Sequence, residues 1–202
     1  MIAGEVTKED VCFLTNVCGW GYRKYHTYKV LFEGFDGRKP NYGNIAPVTL
    51  GDLAKALKEH LILEVCKLTD PMKDHRGNVN LSIRFFAECA NLDDSSRKLA
   101  QQVGERLEAF GKKLRPARDK ILSHFDRTTV HVGEPLGEAS EEEWATYWCD
   151  LEQFVQILSE RYLGEVPPIR DATSTSDAAI LRGVLEERAA SHVPLPMPRH
   201  SD

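Results

Sequence analysis

The apolar residues between positions 50 and 68 recur every three or four positions, and this spacing constrains the fold more than any other feature of the chain. They are Leu50, Leu53, Ala54, Leu57, Leu61, Val65 and Leu68. Such a spacing places them on one face of an α-helix of about five turns. The same period recurs over residues 99–110 and 144–162, and no segment alternates as a strand would. We therefore predict an all-α chain that folds as a helical bundle.

Polar residues mark the ends of these helices. Thr49 is predicted to begin the helix over residues 50–68, which Asp70-Pro71 ends because the residue before proline resists helical dihedrals. Asp93 and its neighbours are predicted to begin the next long helix. Ser140 and Glu143 have the spacing of a capping box, so they are predicted to begin the last strong helix.

Glycine and proline predict two interruptions. Cys18–Gly21 is expected to separate a short helix over Lys8–Asn16 from a helical segment over Tyr22–Phe32. Gly111 and Pro116 are expected to kink or briefly break the helix that follows Asp93, since proline costs about 3 kcal/mol in a helix interior.

The predicted domain organisation is a helical domain over residues 1–165, followed by an extension over residues 166–202. Residues 164–176 have the composition of a linker. A short helix is predicted over Asp177–Ala190, and residues 191–202 are predicted to be disordered.

Charge and composition exclude several classes of protein. The formal net charge of −5 argues against broad electrostatic binding of nucleic acid. No stretch has the roughly 18 apolar residues that a membrane helix needs, and the sequence MIAGEVTKED does not resemble a secretory signal. We therefore expect a cytoplasmic protein. The five cysteines include no CxxC pair, which predicts reduced thiols rather than a zinc site or disulfides.

Residues 112–120 form the most basic stretch of the chain, and a histidine follows it at position 124. We call residues 112–120 the basic segment. Its cations are Lys112, Lys113, Arg115, Arg118 and Lys120, against Asp119 alone. Cations bind phosphate, and a histidine exchanges protons near neutral pH. Together they suit cleavage of RNA by its own 2′-hydroxyl, a reaction that requires no metal. The alternative is a solvated basic helix end, whose cations favour the C-terminus of the helix.

The spacing of the motif favours a dimer. Arg118 and His124 are six positions apart, so on a straight helix their directions differ by about 120°. His124 and Lys120, four apart, share a face. One subunit therefore supplies one histidine and one arginine, whereas two subunits meeting at this helix would form a composite site.

The stretch from Arg118 to His124 (RDKILSH) resembles the signature of HEPN domains. The surrounding chain is similar to the AbiU-type abortive-infection branch of these proteins, over roughly residues 15–160. The similar segments are Arg115-x-x-Arg118-Asp-Lys, His124-x-Asp126, Cys66-Lys-Leu-Thr-Asp70-Pro and Asn80-Leu-Ser-Ile83.

This resemblance implies an all-α HEPN-like bundle and a dimeric, metal-independent endoribonuclease without a cofactor. Arg118 and His124 match the catalytic pair, Asp119 matches a polar position that shapes the site, and Asp126 matches an acidic position of the AbiU-like branch. The resemblance also implies a role in a defence or toxin–antitoxin system, with a nucleotidyltransferase as a potential antitoxin.

Two functions follow from the sequence. In the first, the protein cleaves RNA to 2′,3′-cyclic phosphate ends, and its remaining basic residues guide the RNA backbone: Lys112, Lys113, Arg115 and Lys120. In the second, the same helix belongs to a non-catalytic module for dimerisation or for binding nucleotides or RNA.

Three other groups of residues are interpreted structurally. The aromatic residues Trp144, Tyr147 and Trp148 continue an amphipathic stripe, which favours core packing over stacking on bases. Asp70 and Asn80 could assist the site, although capping and loop hydrogen bonds explain them as well. Glu141–Glu143 would repel RNA, so we expect this helix start to lie away from the active cleft.

Overall fold

The computed structural model describes residues 4–34, 38–119, 139–170 and 172–191, without the side chains of residues 172–176. Six α-helices occupy most of these ranges: α1 (Lys8–Tyr28), α2 (Pro47–Leu68), α3 (Ile83–Cys89), α4 (Asp94–Ala117), α5 (Glu141–Tyr162) and α6 (Ala172–Ala190). In the described ranges, β structure is limited to an isolated bridge between Lys73 and Val79. The prediction of an all-α fold is confirmed.

The described residues form two compact units. Unit 1 takes the described parts of residues 1–22 and 59–170, and unit 2 takes those of residues 23–58 and 171–202. Helices α1 and α2 each contribute residues to both units. The predicted domain boundary at residue 165 stays a prediction.

The core of unit 1 lies where α4 packs against α5 and α3. Its largest fully buried side chains include Ile83, Phe86, Val103, Leu107, Leu114, Leu151, Phe154 and Leu158. Gly104 lets α3 approach α4, because a Cβ at this position would lie 3.3 Å from the Cγ2 of Ile83. The predicted caps of these helices are confirmed. Asp93 accepts hydrogen bonds from the backbone of Ser95 and Ser96, and the box of Ser140 begins α5.

Helix α1 continues through the glycines that were expected to interrupt it. It runs from Lys8 to Tyr28, and a π-helical turn then follows over Lys29–Glu33. Gly21 has a packing role, since a Cβ there would lie 3.3 Å from the ring of Trp148. The prediction of a break was wrong because glycine is tolerated inside a helix where a neighbour needs the space.

Two further helix predictions differ from the structure. Helix α2 begins at Pro47 rather than Thr49, because proline lacks only an N–H that the first helical turn leaves unbonded. Helix α4 continues past Gly111 and includes Pro116, so the expected break is absent up to Ala117. The backbone at Arg118 and Asp119 then adopts π-helical geometry.

Unit 2 pairs α6 with the π-helical turn that follows α1. The Tyr42 hydroxyl donates a hydrogen bond to the carbonyl of Leu31 at 2.6 Å, and Arg182 donates one to the carbonyl of Arg38 at 3.1 Å. Helix α6 begins at Ala172, five residues before the predicted start at Asp177. The linker composition misled the prediction, because alanine is the best helix former and Ser and Thr lower helix stability by less than about 0.7 kcal/mol each.

The sequence expectation about membranes has a structural counterpart. No helix in the described ranges has both the length and the apolar composition needed to cross a membrane.

Candidate functional site

The end of α2 lies against the last turns of α4, and this contact positions part of the basic segment. Gly111, Arg115 and Arg118 are spaced by four and three residues, so they share one face of α4. Thr69 and Asp70, directly after α2, lie against this face. A Cβ at Gly111 would lie 2.6 Å from the Cβ of Thr69, so only glycine permits this approach.

Arg115 binds the polypeptide backbone at the end of α2. Its Nη2 donates a hydrogen bond to the carbonyl oxygen of Thr69, and its Nε lies 3.9 Å from Oδ1 of Asp70. Thr69 is buried, and its hydroxyl donates to the carbonyl of Val65 at 2.8 Å. Carbonyls at a helix C-terminus carry partial negative charge, so the guanidinium stabilises this end of α2.

Arg118 is held by two carboxylates. Its Nη1 donates to Oδ1 of Asp70 at 2.6 Å, and its Nε donates to Oδ1 of Asp119 at 2.7 Å. The side chains of Arg118 and Asp70 are 22% and 27% exposed, whereas that of Asp119 is 57% exposed. Arg118 is therefore partly accessible to a ligand while its contact with Asp70 is largely shielded.

Arg115, Arg118, Asp70 and Asp119 form a group that we call the arginine cluster, and its formal charges sum to zero. Arg115 and Arg118 contribute two positive charges, and Asp70 and Asp119 contribute two negative charges. Partial burial lowers the pKa of Arg118, but the hydrogen bonds to Asp119 and Asp70 outweigh this effect, so its pKa lies above the ordinary value. Arg118 therefore stays protonated at any physiological pH.

Cys66 lies beneath the cluster. Burial raises the pKa of its thiol to about 11; nearby Arg118 lowers this pKa and nearby Asp70 raises it. At neutral pH the thiol is neutral, so it adds no charge to the site and behaves as a small apolar side chain.

Lys113 of the basic segment contacts a different element, α5. Lys112 and Lys113 are both exposed. The Nζ of Lys113 lies 2.6 Å from both carboxylate oxygens of Glu143. The acidic start of α5 was expected to lie apart from the active cleft, but Glu143 contacts the basic segment itself. The reason is tertiary, because α4 and α5 pack side by side and bring these residues together.

Three predicted site residues lie outside the described residues: Lys120, His124 and Asp126. The structure brings Arg118 together with Asp119 and Arg115, and the pairing of Arg118 with His124 stays a prediction. Within the part of the chain that the structure describes, no group of three or more His, Cys, Asp or Glu residues could hold a metal ion.

Of the three aromatic residues that were expected to pack in the core, Tyr147 and Trp148 are buried and Trp144 is half-buried. Tyr147 and Trp148 are 2% and 4% exposed. The ring of Phe110 stacks on that of Tyr147 at a centroid distance of 4.7 Å and meets Trp144 edge to face at 5.0 Å. These rings join α4 to α5, so Tyr147 and Trp148 have no exposed face for a base.

Sequence reasoning did not identify the contacts that hold Arg118 and Arg115. Asp70 was interpreted mainly as a capping or loop residue, yet it forms an ion pair with Arg118, 48 positions along the chain. The sequence did offer one signal for Asp70, because this residue lies in the segment Cys66–Pro71 that is similar to AbiU-type proteins. The carbonyl of Thr69 has no sequence signal, because every residue has a carbonyl. Asn80 does form a loop hydrogen bond, to the carbonyl of Pro71 at 2.8 Å.

A comparison with protein families identifies the family of this chain. The HEPN_AbiU2 family model, described as AbiU2, matches residues 9–163, which is more than three quarters of the chain. The chain therefore belongs to this HEPN family. The match begins in the first turn of α1, ends just after α5, and leaves α6 outside. No curated protein and no solved structure matches the chain.

Proposed function

We propose that this protein is a metal-independent endoribonuclease of a defence or toxin–antitoxin system, with Arg118 and His124 as its catalytic residues. The observation that carries the proposal is the charge, exposure and orientation of the Arg118 side chain. In a chain of the HEPN_AbiU2 family, this arginine ends a long helix, stays charged, is partly exposed and is oriented by Asp70 and Asp119. Such an arginine suits the binding of a phosphate.

Arg118 would bind the scissile phosphate and the charge that develops on it. A guanidinium has five N–H donors, and the contacts with Asp70 and Asp119 use one on Nη1 and one on Nε. Nη1 and Nη2 carry further donors that suit the non-bridging phosphate oxygens. Stabilising the developing charge is often the largest single contribution to such a reaction.

His124 would exchange the protons of the reaction. A base removes the proton of the ribose 2′-hydroxyl, and the 2′-oxygen attacks the adjacent phosphorus. The bond from phosphorus to the 5′-oxygen breaks, and an acid protonates that leaving oxygen. The products are a 2′,3′-cyclic phosphate and a 5′-hydroxyl. Each proton transfer is worth about 100- to 10,000-fold in rate.

A homodimer would supply both the base and the acid, since the motif of each chain contains one histidine. Lys112, Lys113, Arg115 and Lys120 would guide the RNA backbone, with Asp119 and Asp126 supporting the site. Light scattering at micromolar concentration tests the dimer. A strictly monomeric protein that still cleaves RNA would exclude the composite site.

The catalytic test compares four proteins on a mixed RNA pool in EDTA: the wild type, His124→Ala, Arg118→Ala and Arg106→Ala. Arg106 is the matched control, because it also lies on α4 and pairs with an aspartate, Asp150, at 2.7 Å. We expect losses of about 100-fold or more for the first two variants and wild-type cleavage for the control. Full activity in both His124→Ala and Arg118→Ala would exclude this mechanism.

The balanced charge of the arginine cluster favours a second candidate, a non-catalytic module for dimerisation or for nucleotide or RNA binding. In such a module the pairs of Arg115 and Arg118 would serve only to hold α4 against the end of α2. Overexpression separates the two candidates. Intact cellular RNA and normal growth support the module, whereas toxicity relieved by His124→Ala supports the nuclease.

If the protein is a toxin nuclease, we also expect a protein partner that neutralises it. A nucleotidyltransferase antitoxin, as the family resemblance implies, would restore growth on coexpression with the wild type. Where an adjacent gene encodes a nucleotidyltransferase, toxicity that persists on coexpression with it would argue against such a pair.

A further inference from the structure

We infer that Asp70 is a positioning residue that orients Arg118 for the chemical step, an inference that rests on the proposed nuclease function. Asp70 lies outside the motif that runs from Arg118 to His124. It reaches the motif from the end of α2, and its Oδ1 lies 2.6 Å from Nη1 of Arg118.

Asp70 is the rigid partner of Arg118. Asp119 is the next residue in the chain and is more than half exposed, so it moves with the same backbone as Arg118. Asp70 belongs to a different element, which two neighbouring contacts hold in place. Arg115 binds the carbonyl of Thr69, and Gly111 lets the Thr69 side chain approach α4. The direction of the Arg118 guanidinium is therefore set by a fixed point.

The position of Asp70 also permits two cations to stand together. Its Oδ1 lies 2.6 Å from Arg118 and 3.9 Å from Nε of Arg115, so one oxygen faces both guanidiniums. Two positive charges repel each other, and the attraction of each to the carboxylate of Asp70 offsets this repulsion. Without Asp70, Arg118 would turn away from Arg115 toward solvent.

This geometry predicts a specific kinetic signature. Removing the charge of Asp70 makes the cluster more positive, so binding of RNA in the ground state is retained or strengthened. The orientation of Arg118 is lost, and a displacement of about 1 Å in a catalytic group can cost about 100-fold in rate. The value of kcat should therefore fall while KM stays constant or decreases.

The experiment uses Asp70→Asn, Asp70→Ala and the control Asp150→Asn. Asn keeps a carbonyl oxygen that accepts a hydrogen bond from Arg118, so this variant preserves the fold if Asp70→Ala does not. Asp150 is the control because it pairs with Arg106 of α4. We measure kcat and KM on an RNA oligonucleotide, and Kd on the same oligonucleotide with 2′-deoxyribose at the cleavage site.

We expect kcat to fall about 10-fold for Asp70→Asn and about 100-fold for Asp70→Ala, with Kd unchanged or lower. Asp150→Asn should match the wild type. An unchanged kcat, or a loss confined to KM, would overturn the inference. An increased kcat would also overturn it, because Asp70 would then mask Arg118 rather than orient it.

A second measurement does not depend on cleavage. Asp70 bonds Nη1 of Arg118, whereas Nε bonds Asp119, so the reporter is the Nη1–H signal. This signal, identified in a ¹⁵N spectrum by its loss in Arg118→Lys, should shift in Asp70→Asn and stay in place in Asp150→Asn. An unshifted signal would show that Asp70 does not hold Arg118. If the wild type cleaves no RNA, the proposed function fails and the catalytic role of Asp70 fails with it, while this signal still decides whether Asp70 holds Arg118.

Discussion

The buried side chain of Thr69 occupies the space that a Cβ at Gly111 would need. This contact sets the distance between the end of α2 and the last turns of α4. Within that distance Arg115 reaches the Thr69 carbonyl and Arg118 reaches Asp70. The arrangement of the arginine cluster therefore depends on a residue without a side chain.

Gly111→Ala is expected to destabilise the protein. Alanine favours a helix over glycine by about 1 kcal/mol, but the added methyl group would overlap Thr69 in a filled interior. Overpacking of this kind costs about 1–3 kcal/mol, so we expect a net decrease in the free energy of unfolding. Urea denaturation measures the change.

Gly19→Ala is the matched variant. Gly19 also lies inside a helix, α1, and a Cβ there would have no atom within 4 Å. We expect it to stabilise the protein by about 0.5–1 kcal/mol. Equal effects from the two alanines would contradict the packing argument.

Glu143→Gln is expected to strengthen RNA binding by the proposed nuclease. The change removes the negative charge that pairs with Lys113 at 2.6 Å. Glutamine can replace glutamate in the capping box of Ser140, so α5 should keep its start. A released Lys113 can contact a phosphate, and the dependence of log Kd on log salt should steepen by up to about one. Filter binding on an uncleavable RNA at several salt concentrations measures both Kd and its salt dependence.

Glu142→Gln makes the same change in net charge without removing the partner of Lys113. It should affect the salt dependence less. The double variant Glu143→Gln with Lys113→Ala should lose the increase in RNA affinity that Glu143→Gln produces. If the double variant keeps this increase, the added affinity does not come from Lys113.

The cysteines are expected to differ sharply in reactivity. Cys12 and Cys149 are exposed, whereas Cys18 and Cys66 are buried. Burial raises the pKa of Cys66 to about 11 and that of Cys18 further, so both stay protonated at pH 8, and the thiolate is the reactive form. Iodoacetamide followed by peptide mass spectrometry should label Cys12 and Cys149 first. Equal labelling of Cys66 in the folded protein would contradict its burial.

Asp93 is expected to make stability depend on pH in the acidic range. Hydrogen bonds from Ser95 and Ser96 lower the pKa of this carboxyl below its ordinary value near 3.8. A lowered pKa stabilises the folded state above the unfolded pKa, and this contribution is lost as the pH falls toward the folded pKa. In Asp93→Asn the cap remains but this titration is absent. Thermal unfolding between pH 7 and pH 2 should show a smaller loss of stability in the variant than in the wild type.

Local signals were sufficient for the helices and several of their ends. The three- and four-residue spacing of apolar side chains depends only on helix geometry, so it predicted α2, α4 and α5 from neighbouring residues. The caps at Asp93 and Ser140 are equally local, because each side chain bonds an N–H two or three positions away. The family resemblance, carried by short motifs, was also accessible from the sequence and is confirmed.

Contacts between distant segments were not accessible in this way. Gly21 is indistinguishable from a helix-breaking glycine until Trp148 is placed beside it, so the continuity of α1 was missed. The acidic start of α5 was expected to repel the active cleft, yet the packing of α4 on α5 brings Glu143 to Lys113.

The sequence by itself therefore determined the helical class and the caps of α4 and α5, because these depend on residues within one or two helical turns. It also selected Arg118 as a candidate site residue. Only the tertiary structure decided that Asp70 and the carbonyl of Thr69 hold the two arginines. Those contacts join positions more than 40 residues apart, and they exist because Gly111 lets two helical segments approach closely enough for charges to meet.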